Sequence, residues 1–242
     1  MGTGAPTARS KHDYAVKLRL DLIARYYDLG GKRVLDVGCG NGVYTVEIAK
    51  IARFVLGVDL NEKFIEEAMK VREREGVQNV KFECCSIEEF EYKEKFDVAI
   101  MMEVLEHVTD EEEVLFKIKE LLSENGHLIL FVPNKLYPFE THGIRVMGKN
   151  IHFKGSFPLF SWLPEFIRRR FVEERIYTVK RLKELLKKCE FEPLAFDYMP
   201  PPLDLLPKKI ANPARKFLSV LSKTPLRIFG MSIFCLAVKK NG

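Results

Sequence analysis

The chain has 242 residues, of which 47% are hydrophobic, and a formal net charge of +5. It is long enough to bury a sizeable core, and its composition is that of a globular protein rather than a disordered or membrane-spanning one. Five cysteines (Cys39, Cys84, Cys85, Cys189, Cys235) with no C-x-x-C spacing argue against a disulfide framework or a zinc site, and the opening MGTGAPTARSKHDY lacks the apolar run of a signal peptide, which makes a cytoplasmic location the expectation.

Residues 1–12 read as a flexible leader and 13–242 as a single domain. Apolar positions recur at helical spacing from His12 to Tyr27, and Gly30 and Gly31 stop the pattern. KRVLDVG then reads as a strand buried on both faces, and VYTVEIAKIA as a helix. The alternation continues with strand FVLGVDL, helix NEKFIEEAMKVREREG, strands VKFECCS and FDVAIMM, helix DEEEVLFKIKELLSENG and strand HLILFVPN. Helix TVKRLKELLKKCEF, with Thr178 as its N-cap, precedes two last strands, EPLAFDY and MSIFCLAVKK. Such an order predicts an α/β fold, a doubly wound, seven-stranded, mostly parallel sheet. Two segments interrupt it as caps after strands 5 and 6, at about 135–176 and 200–230. The first is a candidate lid.

The loop between the first strand and its helix, VLDVGCGNG, carries Gly38, Gly40 and Gly42 behind Asp36. A dinucleotide fingerprint is G-x-G-x-x-G, but its third glycine would fall at Val43. Asp36 would oppose a pyrophosphate and suit a cationic ligand. S-adenosylmethionine, with its ammonium and sulfonium, is such a ligand.

The run D-x-G-x-G-x-G resembles motif I of the class I S-adenosylmethionine-dependent methyltransferases, and the later strands resemble the rest of that family's Rossmann-like core over about residues 13–134. The resemblance implies that Asp36, Gly38, Cys39, Gly40 and Gly42 cradle S-adenosylmethionine. It also implies that Asp59 in GVDLN accepts from both ribose hydroxyls, with Leu60 beside the adenine. In VKFECCSIEE the family often has an Asp where Ser86 stands, so Ser86 and the Ile87 backbone are left to read the adenine. The backbone of Met102 is expected against the methionine part.

Methyl transfer is a displacement in which the protein chiefly aligns the partners, helped by a base when the acceptor is a hydroxyl. Glu103, His107 and His142 are the candidate catalytic residues. In FETHG, His142 follows the fifth strand and titrates near working pH. Glu103, Glu106 and His107 are spaced i, i+3, i+4, one face of a helical turn if the segment coils. In O-methyltransferases of ubiquinone biosynthesis, which this segment is similar to, E-x-x-E-H is assigned to a divalent metal. The same run occurs in relatives that use none, and no metal is assigned here. The N/D-P-P-Y/F tetrapeptide of base-amine methyltransferases is absent, which favours a hydroxyl or carbon acceptor.

Residues 1–133 carry 18 bases and 25 acids, whereas residues 134–242 carry 21 bases and 9 acids. The second half thus has a net charge of +12, which suits an anionic partner. FPLFSWLPEFIRRRF sets aromatics beside Arg168, Arg169 and Arg170, and LLPKKI and ARKFLSVL repeat the pairing. The expected partner is a small-molecule or lipid-like substrate, with peripheral contact to an anionic membrane. RNA is the rival anionic partner, and a non-catalytic, cofactor-binding partner subunit is the third reading.

Overall fold

The computed structural model describes residues 9–140, 144–146, 149–151, 157–158, 160–168, 170–172, 174–204 and 206–240. Helix α1 (Arg9–Tyr26) begins inside the stretch predicted as a leader. It is followed by β1 (Arg33–Val37), α2 (Val43–Ala49), β2 (Phe54–Asp59), α3 (Glu62–Glu75), β3 (Val80–Cys84), β4 (Phe96–Met102), α4 (Glu111–Leu121) and β5 (Leu122–Pro133). The first insertion holds the short strands β6 (Phe139–Glu140), β7 (Ile144–Val146), β8 (Lys149–Ile151) and β9 (Phe157–Pro158), and the four-residue helix α5 (Glu165–Arg168). Then come α6 (Val179–Lys188), β10 (Phe191–Met199), α7 (Lys208–Leu221) and β11 (Ser232–Lys239).

Seven strands form one sheet in the order β10-β11-β5-β4-β1-β2-β3. The pairings β1–β2, β1–β4, β2–β3 and β4–β5 are parallel. Strand β11 alone reverses, antiparallel to both β5 and β10. This is the doubly wound, mostly parallel sheet that the alternation predicts.

Because successive side chains leave opposite faces of a strand, the apolar runs feed two cores. Leu35, Val37, Leu56, Ala99, Met101 and Leu130 pack with Val114, Leu115 and Ile118 of α4 and with Leu182 and Leu186 of α6. Val34, Val55, Val98, Ile100, Ile129 and Phe131 pack with Leu22 and Ile23 of α1 and Val46 and Ile48 of α2. Burial of each such side chain contributes roughly 1.5–3 kcal/mol. The helices start where their caps dictate: Asn61, Asp110 and Thr178 each accept a backbone N–H from the first turn that follows.

Two boundaries differ from the sequence reading. Helix α4 stops at Leu121 rather than running to Gly126, because Leu122 is buried in extended conformation opposite Phe96 and Asn125 turns left-handed at φ 58°. In the second insertion α7 starts at Lys208 and runs through Pro213, joining the KKI of LLPKKI to ARKFLSVL in one helix. In the first insertion, Arg168 is buried and donates to the Glu174 carbonyl, so it does not join an exposed basic cluster. Trp162 is half exposed, its Nε1 donating to the Leu136 carbonyl at 3.1 Å.

Both insertions leave the sheet from the edge at which β1–β5 end. Asn134, buried just past β5, ties them together: its Nδ2 donates to the Ile228 and Gly230 carbonyls at 2.8 and 2.7 Å, and its Oδ1 accepts from Leu136 N–H. Asn134→Ala strands buried polar groups, each worth roughly 1–3 kcal/mol. Urea unfolding is expected to show a loss of about 2–4 kcal/mol.

Candidate functional site

The edge of the sheet where the parallel strands end is where ligands enter such folds. Gly38 and Cys39 both donate their N–H to the Val58 carbonyl, at 2.8 and 3.0 Å, which folds the glycine loop across the end of β2. Gly38 has φ 69°, and a Cβ there would lie 2.9 Å from Val104 Cγ1 and closer still to its Cγ2. Only glycine fits. Gly40, at φ 52°, is different: an added Cβ would meet no protein atom within 4 Å, so the loop leaves open space there. Gly42 caps α2 and abuts Ala68.

Asp59, at the end of β2, is fixed on both oxygens. Oδ2 accepts from Gly40 N–H at 2.8 Å and Oδ1 from Asn61 N–H at 2.9 Å. Each carboxylate oxygen keeps a lone pair, and the side chain lines a cleft of about 420 Å³. Gly38, Gly40, Leu60, Ile87, Met102, Glu103 and His107 line the same cleft. Eight of the predicted site residues therefore meet in one place.

Four others do not line it. Asp36 is buried, its Oδ2 accepting from the Thr45 hydroxyl at 2.6 Å, because even-numbered positions of β1 face α2. Burial pushes its carboxyl up to about 7, against the opposing effect of the Thr45 bond, and the nearby Asp59 charge raises it further. It braces the loop from beneath. Cys39 is buried against Gly57, Gly42 caps its helix, and the Ser86 hydroxyl donates to the Glu88 carboxylate. His142, like His152, lies outside the described residues. His127 belongs to β5, where its ring packs tilted against Tyr27.

Sequence reasoning missed Phe64 and Glu88, which also line the cleft. Phe64 lies one turn beyond Leu60, and both are exposed, at 43% and 74%. Two apolar residues four apart on either side of the N-cap Asn61 are the signal that was present in the sequence. Glu88, two residues past Ser86, puts an acid at the end of β3 after all.

The segment from Glu103 to His107 does not coil into a helix. Glu103 adopts φ 57°, a left-handed conformation that is costly for a side-chain-bearing residue, and the turn is closed by His107 N–H donating to the Val104 carbonyl at 2.9 Å. The three polar groups consequently take up different surroundings. Glu103 Oε1 accepts from Arg19 Nη2 at 3.3 Å and from the Ser232 hydroxyl. Glu106 points inward and is buried; burial and the adjacent Glu103 charge push its carboxyl well above the ordinary range. His107 stays half exposed at the cleft, its Nε2 3.9 Å from Glu106 Oε1. Among the described residues no three His, Cys, Asp or Glu side chains group to hold a metal ion.

Arg19 is the third missed residue. It reaches from α1 to donate to the Tyr44 hydroxyl at 2.5 Å as well as to Glu103. Nothing local in α1 marks it, since the contact spans 84 residues.

Comparison with known proteins agrees with this fold. A family model described as a methyltransferase domain matches residues 28–162. A protein of Neisseria meningitidis named ubiquinone biosynthesis O-methyltransferase is 37% identical over 121 residues, 49% of this chain and 51% of that protein. A protein of the same name from Aromatoleum aromaticum is 35% identical over 133 residues, 54% of this chain and 56% of that one. The chain thus spans about half the length of the curated relatives it matches. Among solved structures, an S-adenosylmethionine-dependent methyltransferase from Mesorhizobium loti superposes with a TM-score of 0.62 at 18% identity, covering 95% of this chain and 98% of that one. The magnesium protoporphyrin IX methyltransferase of Synechocystis, with S-adenosylmethionine bound, gives 0.57 at 18% identity, covering 99% and 87%. At these identities the structures speak to the fold.

The buried acids set a pH dependence. Glu106 and Asp36 both have folded values above their unfolded ones, so each takes up a proton on folding, and stability is lost as the pH rises through the folded values. Thermal melts are expected to show a lower Tm at about pH 9 than at about pH 5, with a smaller drop in Glu106→Gln, which keeps a neutral hydrogen-bonding group. A Tm that rises over this interval would contradict the assignment.

Proposed function

Because the chain belongs to the class I S-adenosylmethionine-dependent methyltransferases, we propose that the cleft binds S-adenosylmethionine and serves methyl transfer to a hydroxyl or carbon of a small, hydrophobic or lipid-linked acceptor. One observation carries the cofactor reading: Asp59 is held with lone pairs toward the cleft, beside the space left open at Gly40. The residues present suit the group. Asp59 can accept from both hydroxyls of a ribose. Leu60, Phe64 and Ile87 offer apolar surface to an adenine, and Glu88, steadied by Ser86, supplies an acceptor for its amino group. At the other end Glu103, which lines the cleft, would give the cation a carboxylate, the part the sequence assigns to Asp36.

When bound, the sulfonium supplies an activated methyl group. The chain's own contribution is chiefly position. Arg19 and Ser232 hold Glu103 in its strained conformation, and Glu103 N–H donates to the Phe131 carbonyl at 2.9 Å, so the end of β4 is locked to β5. His107, at the cleft and open to solvent, is the described imidazole able to accept a proton from an acceptor hydroxyl.

The acceptor reading rests on what surrounds the cleft edge. Trp162 and Phe166 in the first insertion are 49% and 71% exposed, and Arg170 is exposed nearby in sequence. This surface suits an apolar molecule with an anionic head, and the relatives are named for O-methylation in ubiquinone biosynthesis. No described helix is long and apolar enough to cross a membrane.

Calorimetric titration is expected to show saturable S-adenosylmethionine binding that Asp59→Ala weakens by roughly 100-fold, the equivalent of two charge-assisted hydrogen bonds. Tight NAD binding with no response to S-adenosylmethionine would sink the cofactor reading. Methyl-label transfer into separate lipid, metabolite and RNA extracts should mark the lipid or metabolite fraction. Label confined to RNA would overturn the acceptor class.

A further inference from the structure

Helix α7 is attached to the domain along one side only. Ala211 is its one buried residue. Arg215 fixes the same side, donating to the Pro202 carbonyl and pairing with Asp204, with its guanidinium 4.0 Å from the Tyr14 ring centroid on α1. On the opposite side Ile210, Phe217 and Val220 are 58%, 64% and 59% exposed. At 3.6 residues per turn these three and Pro213 share an arc of roughly 80°, and Lys209 and Lys216 fill the band beside it. Lys223 follows just past the helix. The 3-10 turn Pro225–Phe229 then adds exposed Leu226 and Phe229 next to Arg227.

Monomers rarely leave so much contiguous apolar surface to water, and the charge around it selects what covers it. From residue 206 to 229 the sequence has six bases and no acid. A second copy of this helix would set like rows of lysine against each other, and a nucleic acid would leave the apolar arc wet. A surface that is anionic outside and apolar beneath satisfies both features. An amphipathic helix with lysines flanking an apolar face is built to lie in that plane.

We infer that α7 and the turn after it form a docking element for an anionic lipid bilayer, with Ile210, Phe217, Val220, Leu226 and Phe229 among the acyl chains and Lys209, Lys216 and Lys223 among the headgroups. The element stands at the cleft edge of the sheet: Met231 N–H donates to the Met199 carbonyl, Asn134 binds the Ile228 and Gly230 carbonyls, and Ser232, two residues past Gly230, donates to Glu103. Docking there brings the cleft edge to the lipid surface. The inference deepens the reading of a lipid-linked acceptor, and it is tested without turnover.

The full chain is centrifuged with vesicles of phosphatidylcholine alone or of phosphatidylcholine with phosphatidylglycerol. Binding to the anionic vesicles is expected, weakened by added salt. The triple change Lys209→Gln, Lys216→Gln, Lys223→Gln should lower it by roughly 100-fold, and Phe217→Asp with Val220→Asp should abolish it. All these variants are expected to keep wild-type circular dichroism and S-adenosylmethionine affinity, which separates a lost surface from a lost fold. Failure of the wild type to sediment with anionic vesicles, equal binding to both vesicle types, or a dimer that the Phe217 and Val220 changes dissolve would each overturn the inference. Label in lipid without vesicle binding would remove the docking element and leave the acceptor reading. Vesicle binding without label in lipid would do the reverse.

Discussion

The approach of Gly38 to Val104 leaves no room for a methyl group, and the ligand edge is arranged around that contact. It presses the loop after β1 against the segment after β4. With the loop so placed, Gly38 and Cys39 share the Val58 carbonyl, Gly40 reaches Asp59, and the cleft acquires its floor from three strands at once. A parallel sheet makes this possible, because β1, β2 and β4 all end at one edge and their following loops compete for one space. Glycine resolves the competition.

A second set of forces holds the other end of the cleft. Arg19 on α1, Glu103 after β4 and Ser232 opening β11 meet through one carboxylate, joining segments far apart in sequence. Glu106 lies behind them, where burial and the Glu103 charge raise its carboxyl well above the ordinary range. Arg19 also stacks near the Phe131 ring, 5.7 Å from its centroid, which ties the cluster to the core. The left-handed backbone at Glu103 is kept by these bonds, since an isolated glutamate would relax out of it.

The strand and helix alternation was legible because each apolar run obeys its own period, whereas Asp59 was singled out only by the resemblance of GVDLN to the methyltransferase family. What escaped depended on contacts that periodicity does not record. Asp36 reads as a ligand for a cation until the register of β1 turns it toward Thr45. Glu103, Glu106 and His107 share a helical face only if the backbone is helical, and the positive φ at Glu103 rules that out. Arg168 reads as part of a basic patch, whereas the fold encloses it against a backbone carbonyl. Glu88 was hidden by attention to the one position where Ser86 replaces an acid, though the two side chains act as a unit.

The reversal of β11 has a consequence for how such a protein changes. Met199 and Ser232 are paired neighbours, so the whole second insertion is topologically the loop of a β-hairpin. A hairpin loop can be lengthened, shortened or exchanged with small entropic cost and no change of register in the strands that close it. The cleft is built by strands on the far side of that hairpin. Whatever the insertion recognises can therefore be replaced as a module, while the machinery that handles the other ligand stays as it is.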